Sequence, residues 1–367
     1  MRHLPAALLL FFCACPGPAP APTDGGVDGG GSDGGAACQP RPSFPEDAGA
    51  CLPLADDYQP RFNGSSGDGW PACVSDSNTY TPINPSISTV ARVAAYEGIA
   101  ELLWRDGGVP SPQAFVDARV LYAQDQGLDS RVQRREDVHY PAAPMPCSTA
   151  GIPEQHPERC VGPAKLLPLL NDAFARGAMG EAPRVHAARI EGALHWFLYV
   201  SSLSEVMSCT NRAQDCDSCW AYYTGGTPRD SPLGLAREVA ALGPEAHQRA
   251  YDGTLAVRCW RNLDNETGVA MNTTLRDRAF AQLDRALLRG LALALRQRVT
   301  ELPCSTGDVL DARWAYVQVL APLLDRAARE RNGPQADVLK AELSKSSPLS
   351  VDVGAVTGAL DALFPCP

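Results

Sequence analysis

The sequence is short of the features that usually announce a function. Of its 367 residues only 7% are aromatic and only six are histidine. No H-E-x-x-H, P-loop or G-x-S-x-G pattern occurs, which removes the zinc-protease helix, the phosphate-cradling loop and the nucleophile elbow. Gly64-Ser65-Ser66-Gly67 falls short of the last of these. Basic charge is also scarce. Against 42 Asp and Glu stand 32 Lys and Arg, a net charge of −10, which argues against a nucleic-acid binder held by phosphate contacts. No segment alternates apolar and polar residues for long enough to demand a strand, and none approaches the roughly 18 apolar residues of a membrane span. An enzyme is the class with least support, because no nucleophile or cofactor loop accompanies the candidate acids.

What the chain has in excess is cysteine, 13 in all. A reducing cytosol seldom keeps so many without metal or redox work. The N-terminus offers a reason. Residues 1–14 carry a short basic start at Arg2 and His3, then an apolar run from Leu4 to Ala14. As a helix that run reaches only ~16 Å, half a bilayer core, so it reads as a signal segment and not an anchor.

Phe12-Cys13-Ala14-Cys15 resembles a bacterial lipoprotein cleavage site, with Cys15 as the lipidated residue and Phe12 standing where Leu is usual. An ordinary secretory signal cut nearby is the alternative. The resemblance implies export and attachment to the lipid bilayer through an N-terminal lipid. Pro16 follows the cysteine in place of Asp, which implies the outer membrane, at the cell surface or the periplasmic face. An envelope protein partner fits this setting; nucleic acid does not.

Residues 15–37 are dominated by Gly, Pro, Asp and Ala and cannot form a core. As a flexible tether they give an r.m.s. reach of roughly 25 Å. Gly29-Gly30-Gly31-Ser32-Asp33-Gly34 matches a dinucleotide fingerprint only in form, since it neither follows a strand nor opens a helix. Residues 38–85 read as an irregular arm pinned by Cys38, Cys51 and Cys73. Residues 86–367 read as a helical ectodomain. The fold class is all-α, a disulfide-braced bundle or array of about ten helices. Ser111-Pro112 predicts a helix start. Leu275, Ala279, Leu283, Leu287, Leu291, Leu295 and Val299 predict one long amphipathic helix. Residues 128–162 read as a loop.

If Cys15 is lipidated and Cys13 removed with the signal, an odd number of cysteines remains, so one is free or pairs between molecules. Disulfide candidates are Cys147, Cys160, Cys209, Cys216, Cys219, Cys259, Cys304 and Cys366. Cys147–Cys160 would close a Pro-rich loop and Cys304–Cys366 would tie the last helices together, although spacing alone does not fix connectivity. Cys216-Asp-Ser-Cys219 could hold zinc, but it lacks a matching second pair, and disulfides are preferred.

Two predicted helices place carboxylates where a core should be. Glu191 and His195 are four residues apart, so both side chains can aim at one point. Ile87, Val90, Val93, Ala94 and Trp104 predict an apolar face on the first helix, with Glu97 and Glu101 in its middle. Buried carboxylates need partners. One solution is a cation, iron or another divalent ion, held by Glu97, Glu101, Glu191 and His195, with Tyr199 and Tyr223 as further ligands. The other is an inert network in which Arg189, Arg92 or tyrosine hydroxyls satisfy the acids. His186 and His247 read as exposed helix positions. Arg134-Arg135-Glu136-Asp137-Val138-His139-Tyr140 reads as a solvated charge run or as a binding rim. Asp215 to Tyr223 reads as a short core helix, or as a cluster able to stack a planar ligand.

The order of a Glu/His/Tyr helix, a Cys-containing turn, Trp220-Ala221-Tyr222-Tyr223 and then long amphipathic helices resembles exported algal iron-assimilating proteins of the high-CO2-inducible type. It is also similar to imelysin-like periplasmic helical proteins, over roughly residues 186–300. Their Gly-x-His-x-x-Glu motif is absent, so only iron handling is implied. The expectation is a lipoprotein that captures a metal ion or small ligand. Its alternative is a non-catalytic structural or protein-interaction lipoprotein without metal.

Overall fold

Helix boundaries follow local chemistry closely. A computed structural model describes residues 52–61, 67–85, 87–124 and 127–366. The predicted signal, Cys15, the tether, Cys38 and Cys51 lie outside these residues. Ser111 caps α2 (Pro112–Ala123) by accepting the Ala114 N–H at 3.2 Å, with Pro112 at the first helical position. Asn272 caps α10 (Thr273–Thr300) in the same way, accepting the Leu275 N–H at 3.0 Å.

Among the described residues the fold is all-α, with thirteen α-helices and no strand. The remaining helices are α1 (Thr89–Leu103), α3 (Leu128–Val132), α4 (Ile152–Gln155), α5 (Leu167–Ala178), α6 (Pro183–Ser208), α7 (Gln214–Thr224), α8 (Leu235–Leu242), α9 (Pro244–Leu263), α11 (Gly307–Arg331), α12 (Gly333–Leu343) and α13 (Val353–Leu363). The count exceeds the expected ten chiefly because α3 and α4, short helices without a readable period, fall inside the predicted loop. No described helix is long and apolar enough to cross a membrane.

Helix α6 is the centre of the fold. Ile190, Leu194, Phe197, Leu198, Leu203 and Val206 bury more than one face, so α5, α7 and α11 pack around it. α9 and α10 pair along their length, and α12 and α13 close the far side of α10 and α11. The arm is part of this core and not an appendage. Tyr58, Trp70 and Tyr80 are buried, and the Gln282 side chain on α10 bonds both the N–H (2.8 Å) and the C=O (2.9 Å) of Tyr58.

Three disulfides join described residues: Cys73–Cys259, Cys147–Cys160 and Cys209–Cys216. The second is the expected loop closure. Cys216 pairs with Cys209 and not with its neighbour Cys219, which remains a buried thiol. The expected Cys304–Cys366 bridge is not formed, although Cys366 is disulfide-bonded. Geometry explains this. Arg289 on α10 donates to the Phe364 carbonyl at 2.8 Å, which docks the chain end about 22 Å of helix rise before Cys304.

Three surface expectations also change. His186 and His247 are each only 3% exposed. The polar run 134–140 turns inward, with Arg135 buried and the His139 ring set between acids. The buried stripe of α1 is Thr89, Arg92, Val93, Tyr96, Ile99, Ala100 and Leu103; Val90 is 39% exposed and Glu101 faces solvent.

Candidate functional site

The six predicted ligands enter five separate networks. Glu191 is buried, and its Oε1 accepts from Arg298 at 2.7 Å. Burial pushes its carboxyl pKa up, against the pull of Arg298. The pair lies in a cleft of about 230 Å³ with Trp104, Arg184, Arg313 and Tyr316. One turn on, His195 is fully buried, with Nε2 2.8 Å from the Tyr96 hydroxyl and Nδ1 2.8 Å from the Tyr316 hydroxyl. Burial, aided by the positive charges of Arg298 and Arg105, lowers its pKa to about 3, so the ring is neutral. A neutral imidazole has one N–H, so one tyrosine accepts and the other donates. Both ring nitrogens are thus occupied.

Glu97 accepts from the Gly234 N–H at 2.6 Å and pairs with Arg105 at 2.5 Å and Arg237 at 2.8 Å. Glu101 meets Arg105 at 2.8 Å, its side chain 63% exposed. Tyr199 donates to Asp284 at 2.6 Å. The Tyr223 hydroxyl lies 2.9 Å from His247 Nδ1, whose Nε2 is 2.8 Å from the Arg229 carbonyl. The carbonyl can only accept, so Nε2 carries the proton and Tyr223 donates to Nδ1. Glu97, Glu101, Glu191 and His195 therefore do not converge on one cation. Arginines hold the acids and tyrosines hold the ring. Among the described residues, no group of three or more His, Cys, Asp or Glu is placed to hold a metal ion.

A different site is assembled where α1, α3, α6 and α7 meet. It is a polar cavity of about 370 Å³, and Arg92, Arg131, Arg135 and Arg212 all line it. Its position follows from three local devices. Asp217 on α7 accepts the Ile83 and Asn84 N–H groups, at 2.9 Å and 2.7 Å, and so fixes the arm beside the start of α1. The Cys209–Cys216 disulfide closes the turn that carries Arg212. Gly162 donates to the Arg135 carbonyl at 2.9 Å, and a Cβ there would collide with the Val132 carbonyl, so only glycine lets the segment before α5 lie against the end of α3.

Arginine chemistry gives the cavity its character. Arg92 is only 3% exposed, yet its hydrogen-bond partners are hydroxyls, Ser88 at 3.4 Å and Thr89 at 3.2 Å. Among the described residues neither Arg92 nor Arg131 has a carboxylate within ion-pair distance. The Nε groups of Arg92, Arg131 and Arg135 are buried without hydrogen-bond partners. Burial, with the like charge of Arg131 adding to it, pulls the Arg92 pKa below its usual value. Arg135 is better held. It bonds Glu205 at 3.2 Å and the Tyr222 hydroxyl at 3.3 Å, and its guanidinium lies over the Tyr222 ring. Four arginines against Glu205 and Asp215 leave this wall formally positive in an acidic protein.

Two of the cavity's residues, Arg135 in the 134–140 run and Asp215 in the 215–223 cluster, stand out in the sequence, but nothing local joins them. A further signal is Arg92, which stands among Thr89, Val93 and Tyr96 on the buried stripe of α1. Together, fold and site define a disulfide-braced all-α domain with an arginine-lined cavity. No family model, curated protein or solved structure matches the chain.

Proposed function

We propose that the protein is an exported lipoprotein, anchored through Cys15 to the outer membrane, whose helical domain captures a small anionic solute in the arginine-lined cavity. The observation that carries the reading is the pair Arg92 and Arg131, cations that border one cavity and lack carboxylate partners among the described residues. Arg92 is buried with hydroxyl partners, and Glu205, which shares the cavity, is already paired with Arg135, so an anionic ligand would offset the cost of burying that guanidinium. Capture through Glu97, Glu101, Glu191 and His195 is not part of this proposal, because arginines already pair with those acids and tyrosines with the ring. The Phe12–Cys15 pattern and the three disulfides support an oxidising, exported setting.

The second reading is a structural envelope lipoprotein without a ligand. It draws on the closed Glu97–Arg105–Arg237 and Glu191–Arg298 networks, which need nothing further.

Calorimetric titration of the full chain with a panel of small anions decides between them. Arg92→Gln should weaken binding of any captured anion by about tenfold or more, the loss expected for one charge-assisted contact. A panel without a single binder refutes anion capture. Metabolic labelling with a fatty acid tests the anchor: the label should enter the protein and disappear in Cys15→Ser.

A further inference from the structure

Cys366 is disulfide-bonded, yet no described cysteine is its partner. Cys73, Cys147, Cys160, Cys209, Cys216 and Cys259 pair among themselves, and Cys219 and Cys304 carry no bridge. The partner is therefore one of Cys13, Cys15, Cys38 and Cys51, or a cysteine of a second copy. Cys13 falls in the predicted signal and Cys15 at the predicted lipidation site, which leaves Cys38 and Cys51 within the chain.

Contacts on α10 choose between them. The arm is fastened there from its first described residues onward: the Leu54 N–H donates to Asp57 at 3.0 Å, and Asp57 pairs with Arg285. The chain end is fastened one turn further along. Arg289 donates to the Phe364 carbonyl at 2.8 Å, and Arg331 donates to the Leu363 carbonyl at 2.6 Å and lies over the Phe364 ring. Burial lowers the Arg331 pKa and the like charge of Arg285 adds to that, so the guanidiniums that hold the two segments are neighbours. The helix between Arg285 and Arg289 rises only about 6 Å. Cys51 stands three positions before Leu54 and Cys366 two after Phe364, extended reaches of about 10 Å and 7 Å. Both thiols can therefore meet at the Cα separation of about 5.5 Å that a disulfide needs. Cys38 is 13 positions further back, and the entropy of closing that longer loop counts against it.

We propose that Cys51 and Cys366 form a disulfide, which joins the start of the folded arm to the chain end after α13. The bond forms as the two thiols give up two protons and two electrons to a protein disulfide of an oxidising compartment, which is reduced to two thiols. The ring so closed contains the three other bridges. It also gives the N-terminal segment a second hold on the core. A pull transmitted through that segment reaches the end of α13 directly, without first breaking the Leu54–Asp57 and Tyr58–Gln282 contacts.

The test is peptide mapping of the full chain without reduction, after free thiols are blocked with N-ethylmaleimide. Glutamyl endopeptidase cuts at Glu46, between Cys38 and Cys51, so the two candidates fall in different peptides. The expected species is the Cys51 peptide joined to the C-terminal peptide, from a chain that runs as a monomer on a non-reducing gel. Cys366 joined to the Cys38 peptide, joined to a second copy, or carrying the label would overturn the assignment. A double-variant cycle checks the pair in the folded protein. Cys51→Ser and Cys366→Ser should lower the melting temperature by the same amount, and the double variant should lower it no further. Losses that add would overturn the pairing.

Discussion

Asp284 on α10 holds the His139 ring at 3.2 Å, while Asp137 takes its other nitrogen at 2.7 Å. A loop that looks in sequence like solvated charge is thereby fastened to the core by a histidine between two carboxylates. Tyr199 completes the cluster by donating to the same Asp284.

Burial alone would lower the His139 pKa, but the bonds and charges of Asp137 and Asp284 outweigh it and raise it to about 9. A raised histidine pKa stabilises the fold fully below its unfolded value of about 6.5, and the gain is lost as pH climbs through the folded value. The melting temperature should therefore fall between about pH 6.5 and 9. His139→Gln should cost up to about 3 kcal/mol at pH 6 and flatten that slope. A slope unchanged in the variant refutes the assignment.

His195 predicts the opposite sign. Its folded pKa of about 3 lies below the unfolded value, so its contribution is present above about pH 6.5 and fades as pH falls toward 3. His195→Leu should remove the partner of both the Tyr96 and the Tyr316 hydroxyls and cost about 2–4 kcal/mol in chemical denaturation at neutral pH. The variant should also lose part of the wild-type decline on acidification.

Gly162→Ala should act at a distance. The added Cβ meets the Val132 carbonyl, so the end of α3 must shift, at a cost of about 1–3 kcal/mol. Arg131 and Arg135 would move with it. Weaker anion binding in a variant that still melts cooperatively is the expected result, and unchanged affinity would show that the cavity does not depend on this contact.

Cys219 should resist alkylation in the native state, because burial pushes its thiol pKa up and removes access, with the Glu205 charge adding. Peptide mapping after iodoacetamide treatment should find Cys219 unlabelled before unfolding and labelled after it. Labelling under native conditions would mean that α7 opens.

The helical architecture was legible because caps and periods are local. Ser111-Pro112, Asn272 and the four-residue repeat of α10 each mark structure within a few positions. Burial of Glu191 and His195 on α6 was legible for the same reason. The orientation of α1 was not. Ala91, Ala94, Ala95 and Ala100 give its wheel little contrast, so the face could be drawn through Val90 and Ala94 when the fold buries Arg92, Tyr96 and Leu103. Partners were also hidden. Arg298 for Glu191 and Asp284 for Tyr199 come from α10, far along the chain, and no local pattern announces them. The arginine cavity combines α1, α3 and the α6–α7 turn, so it exists only once these elements meet.

The Cys73–Cys259 bridge spans 186 positions and turns everything from the arm to the last turns of α9 into a closed covalent ring. The Cys147–Cys160 and Cys209–Cys216 bridges are smaller rings lying wholly inside it. A protease that nicks the chain once between Cys73 and Cys259 therefore releases nothing. The two pieces remain one covalent molecule until a reductant reaches the bridge.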